Sequence, residues 1–219
     1  MTDITLKRMF EYAKLDANTA EITKFNPPEG FDWSVKIVVP ESMWGYTVVS
    51  IAKEFMHKSR VQHLELPNSI KTLGVMAFAE CSELKTVNIP ESIEVIESGC
   101  FSDCVNLSLK LSLPRTLTKV ESFAFNNCKG LYGDAIFGDN VLKIGVRAFT
   151  GTGLNGFLYY NPDSIESEVV GALTTLKDFN PFAGLEMTRL RKVADYTDEE
   201  TLGLLISQFI DMRVKQHII

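Results

Sequence analysis

The sequence predicts a stacked solenoid, and three periodic columns predict it. Phe55, Phe78, Phe101, Phe125 and Phe149 recur in steps of about 23 or 24 residues, a period that belongs to coiled repeats rather than to one sheet wrapped around a pocket. Cys81, Cys104 and Cys128 each follow a phenylalanine of that column by three residues. Pro67, Pro90 and Pro114 keep the same interval. Solenoids mostly present an extended binding face and seldom enclose a reaction, which sets the functional expectation before any motif is read.

The unit from Leu84 to Cys104 shows how one coil is built. Val87-Asn88-Ile89 alternates apolar and polar, the pattern of a short strand with one buried face. Pro90 ends it, because proline cannot donate to a ladder. Ile93 and Ile96 turn inward from a second extended or turn segment, and Phe101 and Cys104 fill the far side. The units around Leu64-Leu66-Pro67 and Leu111-Leu113-Pro114 align with it, the latter with one residue inserted. A degenerate unit follows, in which Gly138 replaces the proline before Ile144 and Phe149, and Leu154, Phe157 and Tyr159 read as a last partial coil. Upstream, Ile37, Val39 and Pro40 open a first unit with a longer loop around Trp44-Gly45-Tyr46.

A polar column, Ser42, Ser69, Ser92, Thr116 and Asn140, keeps the same phase. A side-chain oxygen there can bond backbone groups left unpaired in a tight coil. The cysteine column wants a small buried apolar residue, and Cys100 stands where the other units place Ala77, Ala124 and Ala148, so free buried thiols are expected. The Cys100–Cys104 spacing lacks the paired knuckles of a structural zinc site.

These columns carry a resemblance. Leu66-Pro67, Leu73-Gly74, Ala77-Phe78, Cys81 and Leu84, then Ile89-Pro90, Ile96, Phe101 and Cys104, then Ile144-Gly145 and Ala148-Phe149 are similar to the unit of the BspA-like leucine-rich repeats, also called the Treponema pallidum type. The match runs over residues 35–160, with Gly45-Tyr46 resembling the family's opening unit. The resemblance implies an α/β fold, a right-handed leucine-rich-repeat solenoid with a parallel β-sheet on one face. It also implies a binding role in a bacterial protein, since family members are often cell-surface or adhesion proteins.

Residues 1–34 and 161–219 flank the solenoid. Two extended runs about Asp16-Ala17-Asn18 predict a β-hairpin that caps the first coil. After Asn161-Pro162, Asp163 or Ser164 caps a helix to about Lys177, and Asn180-Pro181 breaks it. Thr197-Asp198-Glu199-Glu200 is a capping box opening an amphipathic stripe from Leu202 to Val214. That gives a helical C-terminal cap, or a helix for homodimer or partner docking.

The net charge of −6 and the lack of a basic stripe argue against a nucleic-acid partner. No apolar run approaches the roughly 20 residues of a membrane span. The first residues have no apolar signal core, so the chain as written reads as cytoplasmic, with a cell-surface or secreted place if a signal was trimmed. Gly151-x-Gly153-x-x-Gly156 is followed by strand-like Phe157-Leu158-Tyr159-Tyr160 where a dinucleotide fingerprint needs a helix. His57, His63 and His217 have no ligand spacing, and no serine sits in a nucleophile elbow. Catalytic, cofactor and metal sites are therefore not expected, and the chain is read as non-enzymatic.

The outward strand positions remain as a candidate partner-binding face: Lys36, His63, Glu65, Thr86, Asn88, Lys110, Ser112 and Asp134. Val38, Ile136, Gly156 and Leu158 complete the alternation at its two ends. Trp44 and Tyr46 are candidate aromatic anchors, or they pack on the hairpin. The expected partner is a protein or peptide; the alternative is a structural or adhesive component that self-associates.

Overall fold

A computed structural model of the chain describes residues 7–111, 113–132, 135–136, 141, 143–154, 158–160 and 190–192. In chain order its strands are β1 (Phe10–Lys14), β2 (Thr19–Phe25), β3 (Lys36–Val38), β4 (Ser42–Met43), β5 (Tyr46–Ile51), β6 (His63–Glu65), β7 (Thr72–Leu73) and β8 (Thr86–Val87). Then follow β9 (Val95–Ile96), β10 (Leu109–Lys110), β11 (Lys119–Val120), β12 (Leu131–Tyr132), β13 (Ala135–Ile136), β14 (Lys143–Ile144), β15 (Leu158–Tyr160) and β16 (Leu190–Lys192).

The coils stack through two parallel ladders, where the resemblance implied one sheet. On the first face β3, β6 and β8 pair in register. The inserted residue of the next unit shifts this ladder, so that β10 meets β12, and β13 meets β15, which meets β16, as separate short sheets. On the second face β5, β7, β9, β11 and β14 run as one unbroken parallel ladder. The second ladder has a simple cause. Each coil repeats an extended pair of residues at the same place, and a buried backbone amide there must find a carbonyl. It finds the one on the adjacent coil: Lys71 N–H donates to Val49 O, Glu94 N–H to Lys71 O and Thr118 N–H to Glu94 O, all at 2.8 Å.

From Phe10 onward every element among the described residues is a strand, so the helical part of the expected α/β class is not confirmed for this part of the chain. The third side of each coil is a run of turns. Two left-handed residues recur in it, Glu54 and Lys58, Met76 and Glu80, Gly99 and Asp103, Phe123 and Asn127, Arg147 and Gly151. A left-handed residue cannot propagate an α-helix, so the segment turns twice. The expected helices at 163–177 and beyond Thr197 lie outside the described residues.

These turns carry the spine. The rings of Phe78 and Phe101 lie 5.2 Å apart at 16°, those of Phe101 and Phe125 5.3 Å at 10°, and those of Phe125 and Phe149 5.3 Å at 13°. All four are fully buried. Phe55 departs from the column: it meets Phe78 edge-on at 6.0 Å and 89°. The backbone explains this. Met56 N–H donates to Ala77 O as Phe78 N–H does to Cys100 O and Phe101 N–H to Ala124 O. Met56 therefore holds the phenylalanine slot of the first coil, and Phe55 stands one place earlier.

Beside the spine each thiol donates to a carbonyl one coil back: Cys81 Sγ to Met56 O at 2.9 Å, Cys104 Sγ to Phe78 O at 3.1 Å and Cys128 Sγ to Phe101 O at 2.9 Å. The polar column acts likewise. Ser69 Oγ donates to Val48 O at 2.6 Å, Ser92 Oγ to Ile70 O at 2.8 Å and Thr116 Oγ1 to Ile93 O at 2.8 Å; Asn140 lies outside the described residues. Coil contact is close enough to select glycine. A Cβ on Gly74 would lie 2.6 Å from the Ala52 carbonyl carbon and 2.7 Å from Ile51 O, both backbone atoms that cannot move aside.

The N-terminal strands β1 and β2 form an antiparallel hairpin. Asp16 Oδ1 fixes its turn by accepting the N–H groups of Asn18 and Thr19 at 2.7 and 2.8 Å, and these bonds hold the carboxyl below its ordinary range. β2 then pairs in parallel with β5, so the hairpin covers the second ladder's first edge. Phe10 stacks on Phe55 at 6.3 Å, and Phe25, Phe31 and Trp33 close the core behind it.

Two outcomes follow for stability, read by urea unfolding. Phe101→Ala, which leaves a void between two stacked rings, loses about 3–5 kcal/mol. Gly74→Ala, which forces two coils apart, loses about 1–3 kcal/mol; a neutral Gly74→Ala would contradict the close approach.

Candidate binding surface

The first ladder presents its alternate side chains to solvent. Ile37, Leu64 and Val87 are buried, while Lys36, Glu65, Thr86 and Asn88 are exposed and His63 is half-buried. Neighbouring coils link these residues sideways. The Lys36 ammonium pairs with Glu65. His63 Nδ1 lies 2.8 Å from Thr86 Oγ1, and Lys85 Nζ donates to Gln62 Oε1 at 2.8 Å. Asn88 differs in kind: its Oδ1 accepts the Leu66 N–H and its Nδ2 donates to Leu66 O, both at 2.8 Å. The amide of Asn88 thus replaces a strand in holding Leu66, and its role is to position the coil. A shallow open groove crosses these coils, lined by Lys36, Glu65, Pro67, Asn68, Thr86 and Asn88 among others.

Lys110 is exposed on β10, in register with Tyr132, which is 51 % exposed. Tyr132 is an exposed aromatic that proline-based alignment of the units leaves in a connection; its exposure comes from the shifted ladder. Ser112 and Asp134 lie outside the described residues. Of the two aromatic candidates, Trp44 is 63 % exposed. It sits with Gly45 in the two-residue turn joining β4 to β5, and both residues take positive φ, 49° and 93°. Tyr46 instead packs on the hairpin: its ring lies 6.2 Å from Tyr12, and Lys14 Nζ stands 4.5 Å over it. The Tyr46 hydroxyl raises the Lys14 pKa.

The cysteines and His57, the side chains with the most reactive chemistry, are tied into the stack. All four cysteines are free and buried. Burial pushes the Cys81 thiol up to about 12 and raises that of Cys100, and the neighbouring Cys128 sulfur together with burial raises that of Cys104. A thiol so raised stays protonated and unreactive. His57 Nε2 lies 3.2 Å from Glu80 Oε1 and Lys58 Nζ 3.4 Å from it, one more cross-coil link. The His57 hydrogen bond, with the Lys58 charge, holds the Glu80 carboxyl below its ordinary range. Among the described residues no group of three or more His, Cys, Asp and Glu side chains could hold a metal ion, and no helix is long and apolar enough to cross a membrane.

The family model for the BspA type leucine rich repeat region matches residues 49–171 in six copies. Among solved structures, the chain is similar to the T. pallidum leucine rich repeat protein, with a TM-score of 0.61 and 24 % identity over 69 % of each chain. It resembles a leucine-rich repeat protein from Bacteroides ovatus, TM-score 0.58 and 28 % identity, over 72 % of this chain and 41 % of that one. A leucine rich cell surface protein from Faecalibacterium prausnitzii is similar at TM-score 0.54 and 23 % identity, over 69 % of this chain and 46 % of that one. The chain thus spans less than half of the latter two. Among curated proteins nothing matches.

The thiols give this surface a chemical check. Ellman's reagent at pH 8 should label none of the four in the folded protein and all four in guanidinium; labelling of even one in the folded state would place it in the wrong slot.

Proposed function

The chain belongs to the BspA type leucine-rich-repeat family, and we propose that it is a non-enzymatic interaction protein that binds a protein or peptide on the first face of its solenoid. The observation that carries this is register. Lys36, His63 and Thr86 occupy the same position on successive strands, so the stack repeats one solvent-facing site per coil. A partner that crosses the strands meets a row of such sites, the usual way a repeat protein gathers affinity over an extended surface. Tyr132 and Lys110 extend the row on the shifted ladder, and Trp44 offers a large exposed aromatic on the turn that leads from the first coil's β4 into β5 of the second ladder. Aromatic side chains of this exposure are the type that dominate binding energy once desolvated.

Residues 161–219 complete the proposal as a helical cap or docking element. A second reading keeps the same surface but makes the chain a self-associating surface component. Its support is the F. prausnitzii relative, described as a cell surface protein, and the amphipathic stripe from Leu202 to Val214.

The discriminating experiment is affinity capture from lysate and surface fractions of the source cells, comparing wild type with a folded His63→Glu/Lys110→Glu variant. A partner retained by wild type and lost by the variant is the expected result. Capture of the same partner by both would move binding off this face; capture of the chain's own copies alone would favour the self-associating component.

A further inference from the structure

The two ladders end differently at the N-terminal side of the solenoid. The second ladder ends in β1, and that edge is blunted. A bulge interrupts its register between Glu11 and Tyr12, and Glu11 and Lys14 set charges along it. Bulges and charges are the usual means of stopping another strand from adding to a sheet. The first ladder ends in β3, and that edge carries no bulge; its one charge, Lys36, is paired with Glu65 of β6. β3 pairs with β6 without a register shift. Strand alternation turns Ile37 and Val39 toward β6, as the Val39 N–H bond to Glu65 O at 2.9 Å shows. It turns the backbone groups of Lys36 and Val38 away from β6, the one strand β3 pairs with among the described residues, and no turn or loop backbone partner meets them there. Val35 and Val38 beside them are 42 % and 39 % exposed.

This edge continues into a groove. Pro28, Gly30, Phe31 and Val35 line it, it reaches Lys36 at the start of β3, and Glu29 and Asp32 complete its wall. Both carboxylates are exposed, and neither enters an ion pair among the described residues, whereas Lys36 is already paired with Glu65. The unmatched charge at the groove is negative.

We infer that β3 is a docking edge that takes an extended peptide of a partner protein as an added strand, one in which apolar residues alternate with lysine or arginine. The free N–H and C=O groups of Lys36 and Val38 supply main-chain bonds, Val38 and the groove take apolar side chains, and Glu29 and Asp32 take the cation. Strand addition draws affinity from the main chain and specificity from alternate side-chain sites. The inference rests on the interaction reading above but uses the backbone edge of β3 and its groove, whereas that reading uses the side-chain row to which Lys36 also belongs. The His63→Glu/Lys110→Glu variant leaves β3's own residues unchanged, so each reading fails separately.

The test uses the full chain and a fluorescent, end-blocked eight-residue probe of alternating valine and lysine, read by anisotropy. Its comparators are a fully N-methylated twin and a valine–glutamate twin. Saturable binding of the lysine probe is expected, with at least about tenfold weaker binding of each twin. Glu29→Gln/Asp32→Asn weakens it several-fold. Val38→Pro, which removes only an outward N–H and so spares the β6 ladder, weakens it by about tenfold. The N-methylated twin needs no substitution, so the test survives a Val38→Pro that fails to fold. No binding of the lysine probe, equal binding of either twin, or an unchanged affinity in folded Val38→Pro would overturn the inference. So would a wild-type dimer in sedimentation that Val38→Pro makes monomeric, since the edge would then belong to a second copy.

Discussion

Everything in this structure is tied to one translation, the step from a coil to the next. Parallel strands fix that step at about 4.7–4.9 Å. The stacked rings from Phe78 to Phe149 keep centroids 5.2–5.3 Å apart, near enough to ride on it with a small offset. Once the step is set, each slot inside a coil faces its own copy above and below. A slot that suits phenylalanine must suit it repeatedly, and a thiol bonding the carbonyl behind it recurs at Cys81, Cys104 and Cys128. The surface obeys the same rule: Arg60–Glu83, Lys71–Glu94 and Lys143–Glu121 each join residues one coil apart. Exposed pairs of this kind add little individually. Their regularity shows the translation reaching the solvent.

The same step makes the ends the difficult part, because the first coil has no coil before it. The hairpin solves this for the second ladder by lending β2 as a partner for β5, and for the core by lending Phe10 and Phe25, joined by Phe31 and Trp33 from the segment that follows it. Aromatic side chains suit the task, since few residues then cover the width of an open core. The hairpin does not reach the outer edge of β3. The asymmetry gives the solenoid one sealed edge and one open edge at the same end, and the candidate face adjoins the open one.

Much of this was legible in the residues, and the misses have physical causes. The spine from Phe78 onward was plain because ring, cysteine and proline columns kept one phase. Phe55 matches its spacing, but Met56 is equally apolar, and nothing in the sequence marks the shorter first turn. The second ladder was hidden because strands such as Thr72–Leu73 are too short to show alternation. The left-handed turns were hidden because Glu54, Met76, Phe123 and Arg147 stand where glycine or asparagine would have signalled them. Asn88 had the outward alternation of a binding residue; only its two bonds to Leu66 reveal a structural role. For Trp44 and Tyr46 the sequence left exposure and packing on the hairpin both open; the outcome, Trp44 exposed and Tyr46 on Tyr12, depends on the hairpin's arrival.

Native-state hydrogen exchange tests the central claim, that the coils are stabilised by their stacking on one shared translation, most directly. The amides of Phe78, Phe101 and Phe125 bond forward to Cys100, Ala124 and Ala148. On this account they exchange slowest and share one opening free energy, because no interior coil opens without its neighbours. Coil-by-coil exchange at unrelated rates, or exchange of these three amides as fast as the surface turns, would show that the units stand independently and would contradict it.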